Sequence, residues 1–136
     1  MSTDHGPPPS GDDLIRVFAT LSNPHRLRVL AVLARGGRKY VSQLARDLGI
    51  SRPLLHMHLQ RLEGAGLVTG SLELSPDGKA MKYYQAATFA FEVTPASIAL
   101  ANETLSDEAF AADGRGRYQR HPRSDTTPQT DQKEQQ

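Results

Sequence analysis

The strongest structural signal in this chain is the stretch VSQLARDLGISRPLLHMHLQRLEGAGLV, residues 41–68. Apolar residues recur at three- and four-residue spacing on both sides of Gly49-Ile50-Ser51, which predicts two amphipathic helices joined by a short break. Ser51 favours the cap position of the second helix, and Pro53 favours its first turn. A tight break that contains glycine sets two helices at a steep angle. The stretch therefore predicts a helix-turn-helix whose second helix spans about 51–63.

Two further helices are expected before this unit. Acidic residues followed by apolar residues at helical spacing predict helix 1 over about 12–22. Asn23-Pro24 favours the start of helix 2, and Gly36-Gly37 favours its end. Ser42 is the expected cap of helix 3.

The hydrophobic period changes after the helix-turn-helix from about 3.6 residues to about 2. Residues 67–74 and 79–87 read as two strands around a Ser75–Gly78 turn, which predicts a β-hairpin. Residues 89–93 are also strand-like, and Thr94-Pro95 favours the start of a helix over 95–112. The fold class expected from this order is mainly α with a β-hairpin wing.

The composition is that of one folded domain with polar ends. The chain has 136 residues, 38% of them hydrophobic, and no cysteine. Residues 1–11 and 113–136 are rich in proline, glycine and polar residues, so we expect disordered tails around a domain over 12–112. No run reaches the ~18 apolar residues of a membrane span, and no signal-peptide pattern is expected at the N-terminus. We therefore expect a cytoplasmic protein without a membrane partner, and without disulfides or thiolate metal sites.

Basic residues are concentrated in the middle of the chain. Between Asn23 and Lys82, ten Lys and Arg residues stand against four Asp and Glu residues, a charge of +6 in a chain whose total is +1. A basic segment between acidic ends suggests a surface that meets a polyanion. Solvated helix faces give the same count, so the charge pattern alone leaves both interpretations open.

Several segments together resemble the ArsR/SmtB family of winged helix-turn-helix repressors. The resemblance runs from about Leu14 to Ala87 and includes LSNPHRLRVLAVL (21–33), the stretch 41–68 and a Gly-Lys wing that ends in Lys82-Tyr83-Tyr84. It implies a winged helix-turn-helix fold. It also implies a dimeric transcriptional regulator, expected to be a repressor, that binds double-stranded DNA at a near-palindromic operator.

Candidate DNA contacts lie on the face of the second motif helix opposite its leucines. The first residues of such a helix usually reach base edges, and Arg52 has the donors to bond guanine O6 and N7 together. Leu54 either contacts a thymine methyl group or is partly buried. Contacts to phosphates would position the protein without reading bases. The candidates are Ser51, Arg52, Leu54, His56 and Gln60 for bases, and Gln43, Arg46, Lys79 and Lys82 for phosphates.

Other polar residues near this face have simpler explanations. Arg61 is equally compatible with a solvated or intramolecularly paired arginine, and Lys79 with a solvated turn residue. His58 adjoins a buried leucine, so we expect a half-buried histidine with its hydrogen bonds satisfied rather than a base reader.

The first and last helices form the partner surface in the family that the chain resembles. In this chain they carry apolar stripes outside the three-helix core, which we interpret as a dimer interface. The alternative is that the stripes only cover the core of their own chain. The candidate interface residues are Ile15, Phe18, Ile98, Ala101 and Leu105.

No metal site and no cofactor are expected. The last helix has no histidine, and His56 and His58 are two residues apart, which places them on different sides of a helix. A glycine-rich phosphate loop and a thiol nucleophile are absent from the sequence, so we do not expect an enzyme. Any effector is unknown.

Two functions from different classes remain. The first is a sequence-specific DNA-binding regulator. The alternative is a winged helix that serves as a protein-interaction module, which Leu54 and Met57 on the outward arc of the second motif helix mildly favour.

Overall fold

The computed structural model describes residues 8–112, which contain six helices and three strands. The predictions that concern residues 1–7 and 113–136 lie outside the described residues. In chain order the elements are α1 (Gly11–Leu21), α2 (Pro24–Gly36), β1 (Lys39–Tyr40), α3 (Val41–Leu48), α4 (Arg52–Gly64), β2 (Val68–Leu74), β3 (Ala80–Ala86), α5 (Pro95–Asn102) and α6 (Asp107–Ala112).

The first four predicted helices are present, with small differences at their ends. Gly11, assigned to the tail from the sequence, is the first residue of α1 and is buried. Helix α3 begins at Val41 rather than after a Ser42 cap, because Tyr40 occupies the cap position. The backbone N–H of Tyr40 donates to Oε1 of Gln43 at 3.0 Å, which satisfies a backbone donor at the start of α3.

The hydrophobic core lies where α2, α3 and α4 meet one face of the sheet. Eight of its side chains are almost fully buried, and each apolar side chain removed from water in this way contributes about 1.5–3 kcal/mol. The helix periodicity has its expected cause in α4, where Leu55, Leu59 and Leu62 are all buried, whereas Leu27 of α2 is 56% exposed. These eight are Val29, Leu33, Leu44, Leu55, Leu59, Leu62, Leu67 and Val68.

The strands form one antiparallel sheet in the order β1-β3-β2. Strands β2 and β3 are the predicted hairpin, in register from Val68 opposite Ala86 to Leu74 opposite Ala80. At its tip Gly78 has φ +86°, a left-handed conformation that glycine adopts without the steric cost of a side chain. The winged helix-turn-helix fold expected from the sequence is confirmed.

Strand β1 was not predicted. It pairs Lys39 with Tyr84 and Tyr40 with Tyr83, and so joins the start of α3 to the base of the wing. The rings of Tyr40 and Tyr83 stack with centroids 4.3 Å apart, and the Tyr83 hydroxyl donates to that of Tyr40 at 2.9 Å. This hydrogen bond raises the pKa of Tyr83. The Arg38 guanidinium lies 3.9 Å from the centre of the Tyr83 ring.

The region after the wing differs from the prediction in two ways. Residues 89–93 form no strand, and the helix expected over 95–112 is two short helices, α5 and α6, separated by residues 103–106. Thr94 caps α5 as expected, since its side chain accepts from the N–H of Ser97 at 3.0 Å. No helix within residues 8–112 is both long and apolar enough to cross a bilayer.

The break between α5 and α6 is held against the start of α1. The N–H of Gly11 donates to Oγ1 of Thr104 at 2.7 Å. The carboxylate of Asp12 accepts from the N–H of Ser106 at 2.9 Å and from its hydroxyl at 2.6 Å. These two hydrogen bonds from Ser106 lower the pKa of Asp12. The break is therefore explained by contacts between residues more than ninety positions apart.

Candidate nucleic-acid interface

The turn between α3 and α4 is built as the sequence predicts. Gly49 has φ +69° and donates to the carbonyl oxygen of Ala45 at 2.8 Å, which ends α3. Ser51 caps α4 because its hydroxyl oxygen accepts from the N–H of Leu54 at 3.3 Å. The cap uses a lone pair of the Ser51 hydroxyl and leaves the hydroxyl proton for another acceptor.

Helix α4 has one buried face and one exposed face. Leu55, Leu59 and Leu62 are completely buried, and this anchors the helix along its length. The first turns therefore present a fixed set of outward side chains. The exposed residues of those turns are Arg52, Pro53, Leu54, His56 and Met57.

Leu54 and Gln60 lie at the two limits of this outward face. Leu54 is 36% exposed, so it combines partial burial with access to a partner. Gln60 is exposed but lies beside a groove that α4 forms with α1 and α6.

The charges near α4 are distributed unevenly. Two of the basic residues of the central segment are neutralised locally, because Arg38 pairs with Glu73 at 2.8 Å and Lys39 pairs with Asp47 at 3.1 Å. The four cations named from the sequence form no ion pair within the described part of the chain and are exposed. Their charge is thus open to an external anion. These four are Arg46, Arg52, Lys79 and Lys82.

The predicted phosphate contacts occupy two elements beside α4. Arg46 is exposed on α3, whereas the side chain of Gln43 already accepts from Tyr40, so this contact restrains it. On the wing, Lys79 is next to the tip and Lys82 is on β3. The ammonium of Lys82 lies 5.5 Å from the centre of the Tyr84 ring, at a distance typical of a cation–π contact.

His58 is more deeply buried than the sequence indicated. Its side chain is 2% exposed, its Nδ1 lies 3.4 Å from a guanidinium nitrogen of Arg26, and its Nε2 has no hydrogen-bond partner in the described region. The ring stacks on that of His25 with centroids 5.4 Å apart. Burial, and then the neighbouring charges of Arg26, His25 and Arg61, lower the pKa of His58. The expectation of a histidine with all hydrogen bonds satisfied is wrong for Nε2.

The contact between Arg26 and His58 was missed from the sequence. Arg26 is held from a second side, since its Nε donates to the carbonyl oxygen of Thr20 at 2.7 Å. It thereby links the end of α1 and the start of α2 to α4. The signal in the sequence is weak, because 32 positions separate the two residues.

The candidate dimer residues fall into two groups. Ile15 and Phe18 on α1 and Ile98 on α5 are 46%, 40% and 49% exposed. Ala101 is buried in the seam between α1 and α5 of its own chain, and Leu105 is half-buried beside Gly11. The packing within one chain therefore already accounts for Ala101.

Within residues 8–112, no three His, Cys, Asp or Glu side chains are grouped so that they could hold a metal ion.

The buried face of α4, its exposed cationic start and the adjacent hairpin define a winged helix-turn-helix protein.

Comparison with known proteins agrees with this class. A family model described as a helix-turn-helix domain matches residues 21–70. Over 81 residues the chain is 36% identical to an uncharacterised HTH-type transcriptional regulator, MJ0229, from Methanocaldococcus jannaschii, in an alignment that covers 60% of this chain and 83% of that protein. This chain therefore belongs to the family of helix-turn-helix transcriptional regulators.

Two solved structures are similar to part of this chain. A fragment (residues 1–100) of a possible regulatory protein from Mycobacterium bovis is 27% identical, with 75% of this chain and 92% of that one covered and a TM-score of 0.49. Reduced HlyU from Vibrio cholerae is 21% identical, with 67% and 83% covered and a TM-score of 0.48.

Proposed function

We propose that this regulator is an ArsR/SmtB-type repressor that binds a near-palindromic operator as a homodimer, in the cytoplasm and without catalytic activity. Helix α4 enters the major groove of each half-site, and the β2–β3 wing lies along the DNA backbone. The observation that carries the proposal is the combination, on one helix, of a completely buried leucine face and an exposed Arg52 that forms no ion pair within residues 8–112. A rigid helix with a cation at its start fits the dimensions and chemistry of the groove.

The positions of the exposed polar residues indicate which of them would contact bases and which would contact phosphates. Arg52, with Ser51 and His56 beside it, would read bases at the start of α4. Arg46, Lys79 and Lys82 would contact phosphates, which fixes the orientation of the protein on the duplex.

The dimer proposal rests on the exposed apolar residues of α1 and α5. Ile15, Phe18 and Ile98 are each between two-fifths and half exposed, although large apolar side chains are normally removed from water. A second copy related by a two-fold axis would cover this stripe and place two α4 helices about one turn of DNA (roughly 34 Å) apart.

DNA binding is tested by selecting duplexes from a random pool with the purified protein and comparing the best sequence with random DNA. Arg52→Ala should reduce discrimination by roughly 1–3 kcal/mol, about five- to 150-fold, because a bidentate base contact is lost. Lys79→Ala should weaken both duplexes alike and make the salt dependence shallower by about one phosphate contact. Arg35→Ala removes the same charge from α2 and should leave the selected sequence unchanged.

Equal losses on selected and random DNA for Arg52→Ala would remove Arg52 from base reading. No retention of any duplex at low salt would instead support the protein-interaction alternative, for which Leu54 and Met57 offer exposed apolar contacts on α4.

The dimer is tested by sedimentation equilibrium of Phe18→Glu, in which a charge replaces a residue of the proposed interface. We expect a monomer with weakened binding to the full operator. Leu72→Glu adds the same charge on the wing, where Leu72 is 67% exposed, and should remain dimeric. A wild-type chain that is monomeric at all concentrations would contradict the proposed assembly.

A further inference from the structure

A groove of about 670 Å³ separates the outward side of α1 from the last turns of α4 and from α6. Such a volume lies within the range of small-molecule sites in proteins. One continuous side of α1 lines it, at positions 12, 15, 16, 19 and 20, and α4 contributes positions 60, 61 and 64. The groove is thus next to the proposed base-reading turns of α4 but is not part of them.

Three arginines from three different helices face this groove: Arg16 from α1, Arg26 from α2 and Arg61 from α4. Two acidic residues, Asp12 and Glu108, also line it. Both oxygens of the Asp12 carboxylate already accept hydrogen bonds from Ser106, so they are engaged within the chain.

The arginine charges are only partly compensated. Arg16 pairs with Asp13 at 3.4 Å in an exposed contact, which is a weak interaction. Arg26 and Arg61 form no ion pair with any residue between 8 and 112. Burial, followed by the repulsion of Arg61, lowers the pKa of Arg26. Two like charges thus line the same open groove, and an anion between them would relieve their repulsion.

We propose that this groove binds a small anionic ligand, held through a phosphate or carboxylate group by Arg26, Arg61 and Arg16. Guanidinium groups bind both carboxylates and phosphates through paired N–H donors. A small molecule fits better than a macromolecule because the site is a concave groove between helices rather than a flat surface.

Such a ligand would act as an effector of the regulator, and this role rests on the proposed DNA-binding function. Ile15 lines the groove and also belongs to the exposed α1 stripe, while Gln60 and Arg61 belong to α4. A ligand that bridges α1 and α4 would change the position of the recognition helix relative to the proposed dimer interface. Operator affinity would change with it, because both α4 helices must meet their half-sites together.

The test is a titration of isotope-labelled full-length protein without DNA, followed by NMR. Inorganic phosphate and succinate are the two anionic probes, and glycerol is the neutral one. We expect shifts of amide signals in α1, in the last turns of α4 and in α6. The anion that binds with the higher affinity shows whether the groove prefers phosphate or carboxylate. Glycerol should cause none.

Two matched variants make the test specific. Arg61→Gln should weaken the binding of the anion at least about tenfold, because a charged hydrogen-bond donor is removed. Arg35→Gln, which removes the same charge from an exposed position on α2, should leave it unchanged. Circular dichroism checks that both variants remain folded.

The outcomes separate this site from DNA binding. Shifts confined to the start of α4 and the wing, or an Arg61→Gln variant that binds as the wild type does, would overturn the groove site. If Arg61→Gln instead weakens all duplexes alike without ligand, the groove is part of the DNA backbone contact and the effector site is wrong. An anion that binds in the groove but leaves operator affinity unchanged would overturn the regulatory role. If the wild type bound no DNA, the proposed function would fail, but the NMR test of anion binding would still be valid.

Discussion

The segment from α2 to β3 and the segment from Ala87 to Ala112 are held in place by different forces. The first surrounds a core of completely buried leucines, and its three strands pair in one antiparallel sheet. Within residues 87–111, the second contributes Ala101 as its one buried apolar side chain, and it is attached to α1 by hydrogen bonds to Gly11 and Asp12. Most of its large apolar side chains remain at the surface.

This difference shows how the two parts serve the proposed function. A DNA-reading helix must be rigid, and close packing of apolar side chains provides rigidity. A surface reserved for a second subunit must keep apolar side chains free in the single chain. Apolar residues therefore have different consequences in the two segments.

The largest effect is expected from a change in the leucine core. Leu59→Ala should lower the free energy of unfolding by roughly 2–5 kcal/mol, because the side chain is fully buried and its removal leaves a cavity. Leu72→Ala makes the same substitution on the exposed wing and should change it by less than about 0.5 kcal/mol. Urea unfolding followed by circular dichroism measures both. Similar losses for the two variants would contradict the placement of the core.

A smaller effect is expected at the attachment of the C-terminal segment. A methyl group on Gly11 would overlap the carbonyl oxygen of Ala101 and lie 2.8 Å from Cγ of Leu105. Gly11→Ala should therefore destabilise the protein by about 1–3 kcal/mol, through separation of α1 from α5.

Gly64→Ala is the matched control for this change. It lies at the end of α4, with nothing within 4 Å of the added methyl group, so the substitution should be neutral or slightly stabilising. Amide hydrogen exchange locates the effect. Faster exchange in α2 to α4 than in α5 for Gly11→Ala would show that the two segments do not unfold separately.

The helices of the core were predictable because apolar residues recur in them every three or four positions. Strand β1 was not predictable, since a strand of two residues cannot display a period. The apolar alternation at 89–93 does not correspond to a strand, since only Phe91 of its three apolar positions is half-buried and no described strand pairs with it. The break after Asn102 arises from Thr104 and Ser106, whose partners lie at the other end of the domain.

The candidate site was also predictable only in the part that depends on local spacing. The outward face of α4 follows from its leucine spacing, so the exposure of Arg52 and His56 was expected. Whether a cation is already paired within the chain depends on contacts across the fold, as for Arg38 with Glu73. The groove between α1, α4 and α6 depends entirely on tertiary packing, and no spacing in the sequence indicates it.

The smallest effect concerns pH and distinguishes the two segments again. The core contains His58, whose pKa is lowered in the folded protein by burial and by Arg26, His25 and Arg61. As pH falls through the ordinary histidine value of about 6.5, the unfolded chain takes up this proton before the folded one does. The stability that neutral His58 contributes is therefore present above about pH 6.5 and is lost as pH falls through its lowered folded value.

The attachment of the C-terminal segment should respond in a more acidic range. The lowered pKa of Asp12 means that the stability contributed by its carboxylate is present above the ordinary carboxylate value of about 4 and is lost below it.

The contribution of His58 is tested by urea unfolding at several pH values. We expect the urea concentration at the midpoint to decrease for the wild type as pH is lowered from 7.5 to 5.5, and to decrease less for His58→Gln. His56→Gln, an exposed change on the same helix, should leave it as in the wild type. An unchanged pH dependence in His58→Gln would mean that this histidine, although enclosed by the core, is protonated there as readily as in the unfolded chain.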